Sequence, residues 1–186
     1  MAGYMVYWPQ DVLQKWTKAG EKGPIKVVYG SIHSRMPTIA SIKVGDVVFP
    51  VSQVKKHLYV MARLPVTHRE AALDYTLREL GSSCGALGQE NSSGFDSCTR
   101  WQPVLDHQPH QVPFNCCSQW AVWGEEGSAI EPRQLPDEVL PDLRFGYSKS
   151  KERPLKFTPN GSVLSSSLTA TRRLSEETLE IFEGLF

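Results

Sequence analysis

Three stretches in the first third of the chain are short runs of mainly apolar residues, a pattern that is typical of β-strands. Residues 24–32 (PIKVVYGSI) are rich in β-branched side chains, and residues 47–54 and 57–66 form two further apolar runs. A Lys-Lys turn joins the last two runs, so we expect a β-hairpin there. Pro50 lies within the hairpin and indicates an edge strand or a β-bulge, because proline cannot donate a ladder hydrogen bond.

Apolar residues recur at helical spacing in three other segments. Residues 11–23 carry them on one helical face and end in glycines, which predicts a helix. Residues 68–81 (HREAALDYTLRELG) give the clearest helical pattern, and Gly81 ends it. Residues 174–186 predict an amphipathic closing helix with Ser175 as its N-cap.

The second half of the chain contains more proline and more small polar residues. Residues 82–94 read as a loop, and residues 95–124 contain too many prolines for a long helix, which favours short strands and turns around the tryptophans. Residues 135–146 predict a short helical turn between prolines, and the TPNG sequence at 158–161 predicts a turn.

These patterns together predict an α+β fold. We expect a core in residues 1–81 and a Pro/Trp-rich C-terminal extension, residues 95–186, that packs on it or completes it. One single domain over residues 1–186 is the alternative. Hydrophobic residues make up 40% of the chain, which is enough for a packed core.

A Gly45-Asp46 step leads into the first strand of the predicted hairpin, in KVGDVVF. The second strand, LYVMARLPV, and the early aromatic segment YMVYWP complete a pattern over residues 4–80 that resembles the PUA-like superfamily, the group of PUA, ASCH and EVE domains. The Gly-x-Lys-x-x-Glu-x-Arg signature expected of ASCH domains is absent. The resemblance implies a small mixed β-barrel flanked by helices, whose aromatic-lined mouth binds RNA or a modified base.

The segment YGSIHSR places an aromatic ring, a hydroxyl, an imidazole and a guanidinium on one face if it is extended, because strand side chains alternate. Such a face can stack a base and bind its phosphate, although an exposed polar strand face has the same pattern. The candidate base-binding residues are Trp8, Tyr29, Ser31, His33 and Arg35. The candidate phosphate-binding residues are Lys43, Lys55, Lys56, Arg63 and Arg69.

Charge is divided unevenly along a chain whose formal net charge is zero. Residues 1–69 contain ten Lys/Arg and three Asp/Glu, a balance of +7, and residues 70–186 contain ten and seventeen, a balance of −7. A basic first third is typical of a surface that faces a polyanion. We therefore expect a nucleic acid, RNA or modified DNA, as the partner. Two surfaces that neutralise each other have the same composition.

Cysteine usage and hydropathy predict a cytoplasmic protein without a membrane partner. There is no secretory signal and no apolar run of membrane-spanning length, so the cysteines are expected as reduced thiols. Zinc-type ligands occur in one segment, at Cys98, His107, His110, Cys116 and Cys117. Paired Cys-x2–4-Cys knuckles are absent, so we expect neither a metal nor another cofactor.

Two rival functions remain open beside a non-catalytic binding module. A small metal-independent ribonuclease or nucleotide hydrolase could use His33, His57 and His68 for general acid–base catalysis, although no hydrolase motif is present. A protein–protein interaction domain without a ligand, for example a homodimer through exposed aromatics, is the other. We expect binding rather than catalysis.

A second basic strip lies near the C-terminal end, and its cations are interleaved with Phe145, Tyr147 and Phe157. Its members are Arg144, Lys149, Lys151, Arg153, Lys156, Arg172 and Arg173. Aromatic residues among cations suit single-stranded nucleic acid. They equally suit a twisted hairpin with solvated lysines and a buried aromatic side.

Overall fold

β-Strands and a few α-helices make up the part of the chain that the computed structural model describes, residues 1–8, 10–20, 22–31, 39–80, 118–146, 151–168 and 171–186. The strands are β1 (Gly3–Tyr7), β2 (Val27–Ser31), β3 (Val47–Val54), β4 (His57–Val60), β5 (Leu64–Pro65), β6 (His68–Ala71), β7 (Ser118–Trp123), β8 (Arg133–Gln134), β9 (Arg144–Phe145), β10 (Arg153–Pro154) and β11 (Thr171–Arg173). The α-helices are α1 (Gln10–Ala19), α2 (Ala72–Leu80), α3 (Ser165–Leu168) and α4 (Glu176–Glu183), and 3₁₀ segments occupy Ile39–Ser41 and Asp137–Asp142. The predicted α+β class is confirmed.

The main sheet has the strand order β11–β1–β3–β4–β8, with β5 also paired to β3. Strands β1 and β3 run parallel, with Gly3 opposite Val47, and α1 and β2 lie in the crossover that a parallel pair requires. Alternate side chains of β1 enter different cores, since Tyr4 belongs to one buried cluster and Met5 to another. Both faces of this sheet are therefore covered, which explains the continuous apolar run of β3.

The Gly45-Asp46 step forms the turn that was predicted before β3. Gly45 has φ +90°, a backbone angle that favours glycine. The Asp46 carboxylate accepts hydrogen bonds from the backbone N–H groups of Ala2 at 2.8 Å and Lys43 at 2.9 Å. Because Ala2 directly precedes β1, one side chain fixes both the turn and the position of the parallel partner strand.

The predicted hairpin is formed by β3 and β4, with Lys55 and Lys56 at its turn. Pro50 lies in a central strand, since β3 pairs with β1 on one side and with β4 and β5 on the other. The expected bulge is present, because three residues, 61–63, lie opposite Phe49 and Pro50 between the β4 and β5 ladders. The ladder on that side is interrupted where proline has no N–H to donate.

A second sheet has the order β2–β7–β6 and is linked to the main sheet by one extended segment. Residues 64–71 pair first with β3, through β5, and then with β7, through β6. Among the described residues the strands form these two sheets and a separate β9–β10 ladder, and no closed barrel. The barrel implied by the PUA-like resemblance is thus not supported. A strand that switches sheets makes a corner instead.

Two hydrophobic cores lie on opposite faces of the main sheet. The first includes Trp8, Val28 and Val122, so it lies between the two sheets. The second includes Phe49 and Phe182, whose rings meet edge to face at 5.5 Å, and it is covered by α4 and the Asp137–Asp142 segment. Full burial of such aromatic side chains makes these two layers the main source of stability.

The helix predictions are confirmed in part. Helix α1 forms as predicted, and the Ser175 hydroxyl caps α4 by accepting from Thr178 N–H at 3.1 Å. The predicted helix at 68–81 begins only at Ala72, because residues His68–Ala71 pair with β7 instead. A ladder to a distant strand overrides the local helical pattern there.

Strands from the two halves of the chain share both sheets. β7, β8 and β11 all follow residue 95. β7 pairs with both β2 and β6, β8 pairs with β4, and β11 pairs with β1. The division at the 82–94 segment stays a prediction, since that segment and residues 95–117 lie outside the described residues. No helix in the described part of the chain is long and apolar enough to cross a membrane.

Candidate nucleic-acid interface

Strands β6 and β7 bring an exposed histidine onto a tryptophan at the edge of the second sheet. His68 lies opposite Trp123 in the antiparallel ladder, and the two rings are stacked with centroids 3.8 Å apart and planes 8° apart. A 2.8 Å hydrogen bond between Thr67 Oγ1 and His68 Nδ1 fixes the rotation of the imidazole. His68 is exposed, so the ring face opposite Trp123 is open to solvent.

Glu70 links Trp123 to helix α2. The indole N–H donates to Glu70 Oε1 at 2.5 Å, and Arg78 Nη1 donates to Glu70 Oε2 at 2.8 Å. The Arg78 guanidinium lies 4.8 Å from the centroid of the Trp123 ring. Its hydrogen bond to Glu70 is the main cause that raises the pKa of Arg78 above its ordinary value, so this cation stays charged. The ring of Trp123 is therefore held from several directions before any ligand binds.

Arg69 forms a second cation–aromatic pair one residue along β6. Its guanidinium carbon lies 4.2 Å from the centroid of the Trp120 ring, which is half-buried against the core between the sheets. Arg69 is exposed, and within the described ranges it has no carboxylate partner. Because stacking uses only the flat face of a guanidinium, its in-plane N–H donors remain available to an oxyanion.

Two buried tyrosines support this edge from beneath. Tyr75 of α2 meets Tyr29 of β2 edge to face, with ring centroids 5.8 Å apart, and lies at the same distance from Trp123. Burial, and then the charge of Glu79, raises the pKa of Tyr75 well above its ordinary value. Its phenol is therefore a neutral packing group rather than a proton donor for chemistry near neutral pH.

We call His68, Arg69, Glu70, Arg78, Trp120 and Trp123 the edge cluster. Within the described residues it offers an exposed aromatic ring, at His68, and a cation without a carboxylate partner, at Arg69, on adjacent residues. Consecutive strand residues point to opposite faces of a sheet, so the two groups flank the edge strand β6. This arrangement can stack one planar ring and bind a neighbouring anionic group.

Only two of the predicted base-binding side chains, Trp8 and Tyr29, are described by the structure. Trp8 and Tyr29 retain only 1% and 3% of their exposure because they pack in the interior, so neither can stack a ligand in this structure. Ser31 ends β2, and nothing is described of its side chain. His33 and Arg35 lie outside the described residues.

The predicted phosphate-binding residues lie in four separate places. Lys43 is exposed in the turn before β3, and Lys55 and Lys56 are exposed at the other end of that strand. Arg63 donates to both carboxylate oxygens of Glu183, at 2.7 and 3.2 Å, so its guanidinium is already occupied. Only Arg69 belongs to the edge cluster.

The histidines of the nuclease alternative are placed apart. His57 lies in β4 of the main sheet, where Nδ1 is 3.0 Å from both Asp137 Oδ1 and Gln134 Nε2, whereas His68 belongs to the second sheet. In the part of the chain that the structure describes, no group of three His, Cys, Asp or Glu residues is arranged to hold a metal ion. The predicted Cys/His set from Cys98 to Cys117 lies outside that part.

The edge cluster joins residues that sequence reasoning kept separate. His68 and Arg69 were assigned to a helix, and Trp123 follows 55 residues after His68, so no local pattern could bring them together. The tryptophans flanking Ala121 and Val122 were the available signal. Comparison of the sequence with protein-family models and with curated proteins finds no match.

Proposed function

We propose that this protein is a nucleic-acid-binding module that holds an unpaired base on the open face of His68 and an adjacent phosphate at Arg69. The observation that carries the proposal is the His68–Trp123 stack, at 3.8 Å and 8°, with the imidazole exposed. A base added to this face would continue a stack that the protein has already ordered. Preordering lowers the entropy that binding would otherwise cost.

The charge around the edge cluster supports a polyanionic partner. The N–H of Gly45 donates to Val66 O at 2.8 Å, so the turn carrying exposed Lys43 lies beside the residues that lead into β6. Lys43 therefore lies two residues from a backbone contact with the chain that leads into Arg69. The balance of +7 over residues 1–69 would steer a polyanion towards this part of the molecule.

Single-stranded RNA is the polymer that we favour. A base inside a duplex has no free face for His68, whereas unpaired bases stack on aromatic rings. The PUA-like resemblance over residues 4–80 supports RNA or a modified base as the target, and the function does not require a closed barrel because the site lies at a sheet edge. Catalysis is the weaker candidate, since His57 and His68 lie in different sheets.

Fluorescence anisotropy with single-stranded RNA, single-stranded DNA and duplexes, titrated with salt, tests the proposal. Loss of one base–aromatic stack, about 1–3 kcal/mol, predicts that His68→Ala weakens RNA binding about 5–150-fold. His68→Phe keeps the stack and should bind within a few-fold of wild type. Arg69→Gln should lower the slope of log Kd against log salt by about 0.7, the value for one phosphate contact to a single strand.

A distant lysine provides the matched charge control. Lys56 follows the C-terminal end of β3, whereas the edge cluster lies towards the N-terminal end of that strand. The eight residues of β3 span about 23 Å, so Lys56→Gln should change the affinity for RNA little. Equal weakening by Arg69→Gln and Lys56→Gln would show general charge attraction and no specific site. RNA cleavage on a gel would instead indicate that the histidines are catalytic. A molecular mass that rises with protein concentration, without RNA binding, would support the protein–protein interaction alternative.

A further inference from the structure

Arg172 has a guanidinium nitrogen that is buried and, within the described residues, has no hydrogen-bond partner. Its Nε–H is shielded from solvent and finds no acceptor there. In β11 it lies opposite Met5, and it is two residues before Leu174, both of which belong to the core under α4. Alternation along the strand therefore places the Arg172 side chain on this covered face of the main sheet.

Arg153 approaches the same place from β10. It lies opposite Phe145 in the β9–β10 ladder, and Phe145 is bridged to Leu174 next to β11. Residues opposite each other in an antiparallel ladder share a face, so Arg153, Phe145 and Leu174 form a row on the face that carries Arg172. Arg153 is exposed, so solvent reaches one of the two guanidinium groups.

No carboxylate balances these two cations in the described part of the chain. The ion pairs there involve other residues, and Glu152, beside Arg153 in sequence, pairs with neither arginine. The sequences that adjoin the two arginine strands, Tyr-Ser-Lys-Ser at 147–150 and Thr-Ala at 169–170, contain no Asp or Glu. Burial, and then the charge of Arg153, lowers the pKa of Arg172 below its ordinary value.

We propose that Arg172 and Arg153 bind a phosphate group between them. Two guanidinium groups match a phosphate that carries two negative charges, and their planar N–H donors fit its oxygens in bidentate geometry. Such a group would supply the missing acceptor for Arg172 Nε and offset the repulsion between the arginines. A phosphate group of this kind occurs in small molecules, as inorganic phosphate or a phosphate monoester. It also occurs at the phosphorylated end of an oligonucleotide.

This phosphate site is distinct from the edge cluster and does not rest on the proposed function. Arg172 belongs to the edge strand β11 of the main sheet, whereas His68 belongs to the second sheet. A protein that bound only a small phosphorylated molecule at Arg172 would satisfy this inference even if His68 bound no base. Variants of His68 should leave the phosphate response unchanged, so the two proposals fail separately.

Thermal unfolding in inorganic phosphate, against chloride at equal ionic strength, is the first test. At a phosphate concentration tenfold above Kd, we expect the wild-type Tm to rise by about 3–6 °C. Arg172→Gln and Arg153→Gln should lose this rise, and Lys18→Gln, which removes one exposed charge from the last turn of α1, should keep it. Because Arg153 is exposed, its variant tests the site even if the Arg172 variant does not fold.

Oligonucleotides with a 5′-phosphate or a 5′-hydroxyl end separate the two sources of phosphate. Tighter binding of the phosphorylated oligonucleotide, lost in both arginine variants, would assign the site to a polymer end, and a response to inorganic phosphate alone would assign it to a small molecule. A Tm rise of equal size in all variants would reveal a general salt effect and overturn the proposal. Absence of any arginine-dependent response to either probe would overturn it as well.

Discussion

The ion pair between Arg63 and Glu183 links the connection between β4 and β5 to the last turn of α4. Its removal should destabilise the fold without affecting the RNA binding that we propose for the edge cluster. Arg63 Nε and Nη2 lie 2.7 and 3.2 Å from the two oxygens of Glu183. The side chains are only 29% and 28% exposed. A carboxylate at a helix C-terminus opposes the helix dipole, so Glu183 depends on this arginine more than a mid-helix residue would.

The expected magnitude follows from that geometry. Exposed ion pairs contribute about 0–1 kcal/mol, but a bidentate and partly buried Arg–carboxylate pair should contribute about 1–2 kcal/mol. We therefore expect Arg63→Gln to lower the free energy of unfolding by about 1.5 kcal/mol and the Tm by about 3–6 °C. Glu183→Gln should cost a similar amount, and the double variant little more than either single one.

Urea unfolding of the four proteins in this double-mutant cycle measures the coupling. A matched cycle on Lys26 and Glu125, a pair with 3.3 Å separation whose side chains are 44% and 68% exposed, should give a coupling below about 0.5 kcal/mol. Equal couplings in the two cycles would refute the role of burial and bidentate geometry. Weaker RNA binding by a fully folded Arg63→Gln protein would instead return Arg63 to the phosphate-binding set.

Two further predictions concern the backbone and alkaline pH. Gly127→Ala places a Cβ 1.6 Å from Ile25 O, so we expect the free energy of unfolding, measured in urea, to fall by about 3 kcal/mol or more. Gly45→Ala should lower it by only about 1 kcal/mol, because only φ is strained there and no atom lies within 4 Å of the added Cβ. Burial, and then the Glu79 charge, raises the pKa of Tyr75 in the folded state above its unfolded value of about 10, so the stability it contributes is present below pH 10 and lost above it. By pH 11 the wild type should have lost about 1 kcal/mol more than Tyr75→Phe, relative to each protein at pH 9.

A specific outcome would contradict each of these two predictions. A Gly127→Ala protein as stable as Gly45→Ala would mean that the chain near Ile25 can move at little cost. Parallel loss of stability by wild type and Tyr75→Phe between pH 9 and 11 would show that the phenol is not buried in solution. Tyr59→Phe, on a half-buried side chain of β4, serves as the tyrosine control in the second experiment.

Local patterns were enough to predict the elements whose physics is local. Helix α1, the β3–β4 hairpin with its Lys-Lys turn, the Gly45-Asp46 step and the Ser175 cap each depend on residues within a few positions of one another. The α+β class followed from those elements. The bulge opposite Pro50 followed from the one property of proline that context does not change.

Pairing between distant segments decided what could not be predicted. The segment from Tyr29 to Ser31 was correctly predicted to belong to a strand, but period two does not say whether another element covers the side that carries Tyr29. Helix α2 puts Tyr75 against Tyr29, so that side became interior. The same choice of partners left His68 exposed on Trp123, which moved the candidate site from β2 to β6.

The position of β1 in the main sheet also sets the order in which the protein can be completed during synthesis. β1 pairs on one side with β3, but its other side pairs with β11, where Val6 lies opposite Thr171. At ribosomal rates of about 5–20 residues per second, β11 follows β1 by roughly 10–30 s. For that interval one edge of β1 has no hydrogen-bonding partner, and the main sheet is complete around Met5 only after Thr171–Arg173 have been synthesised.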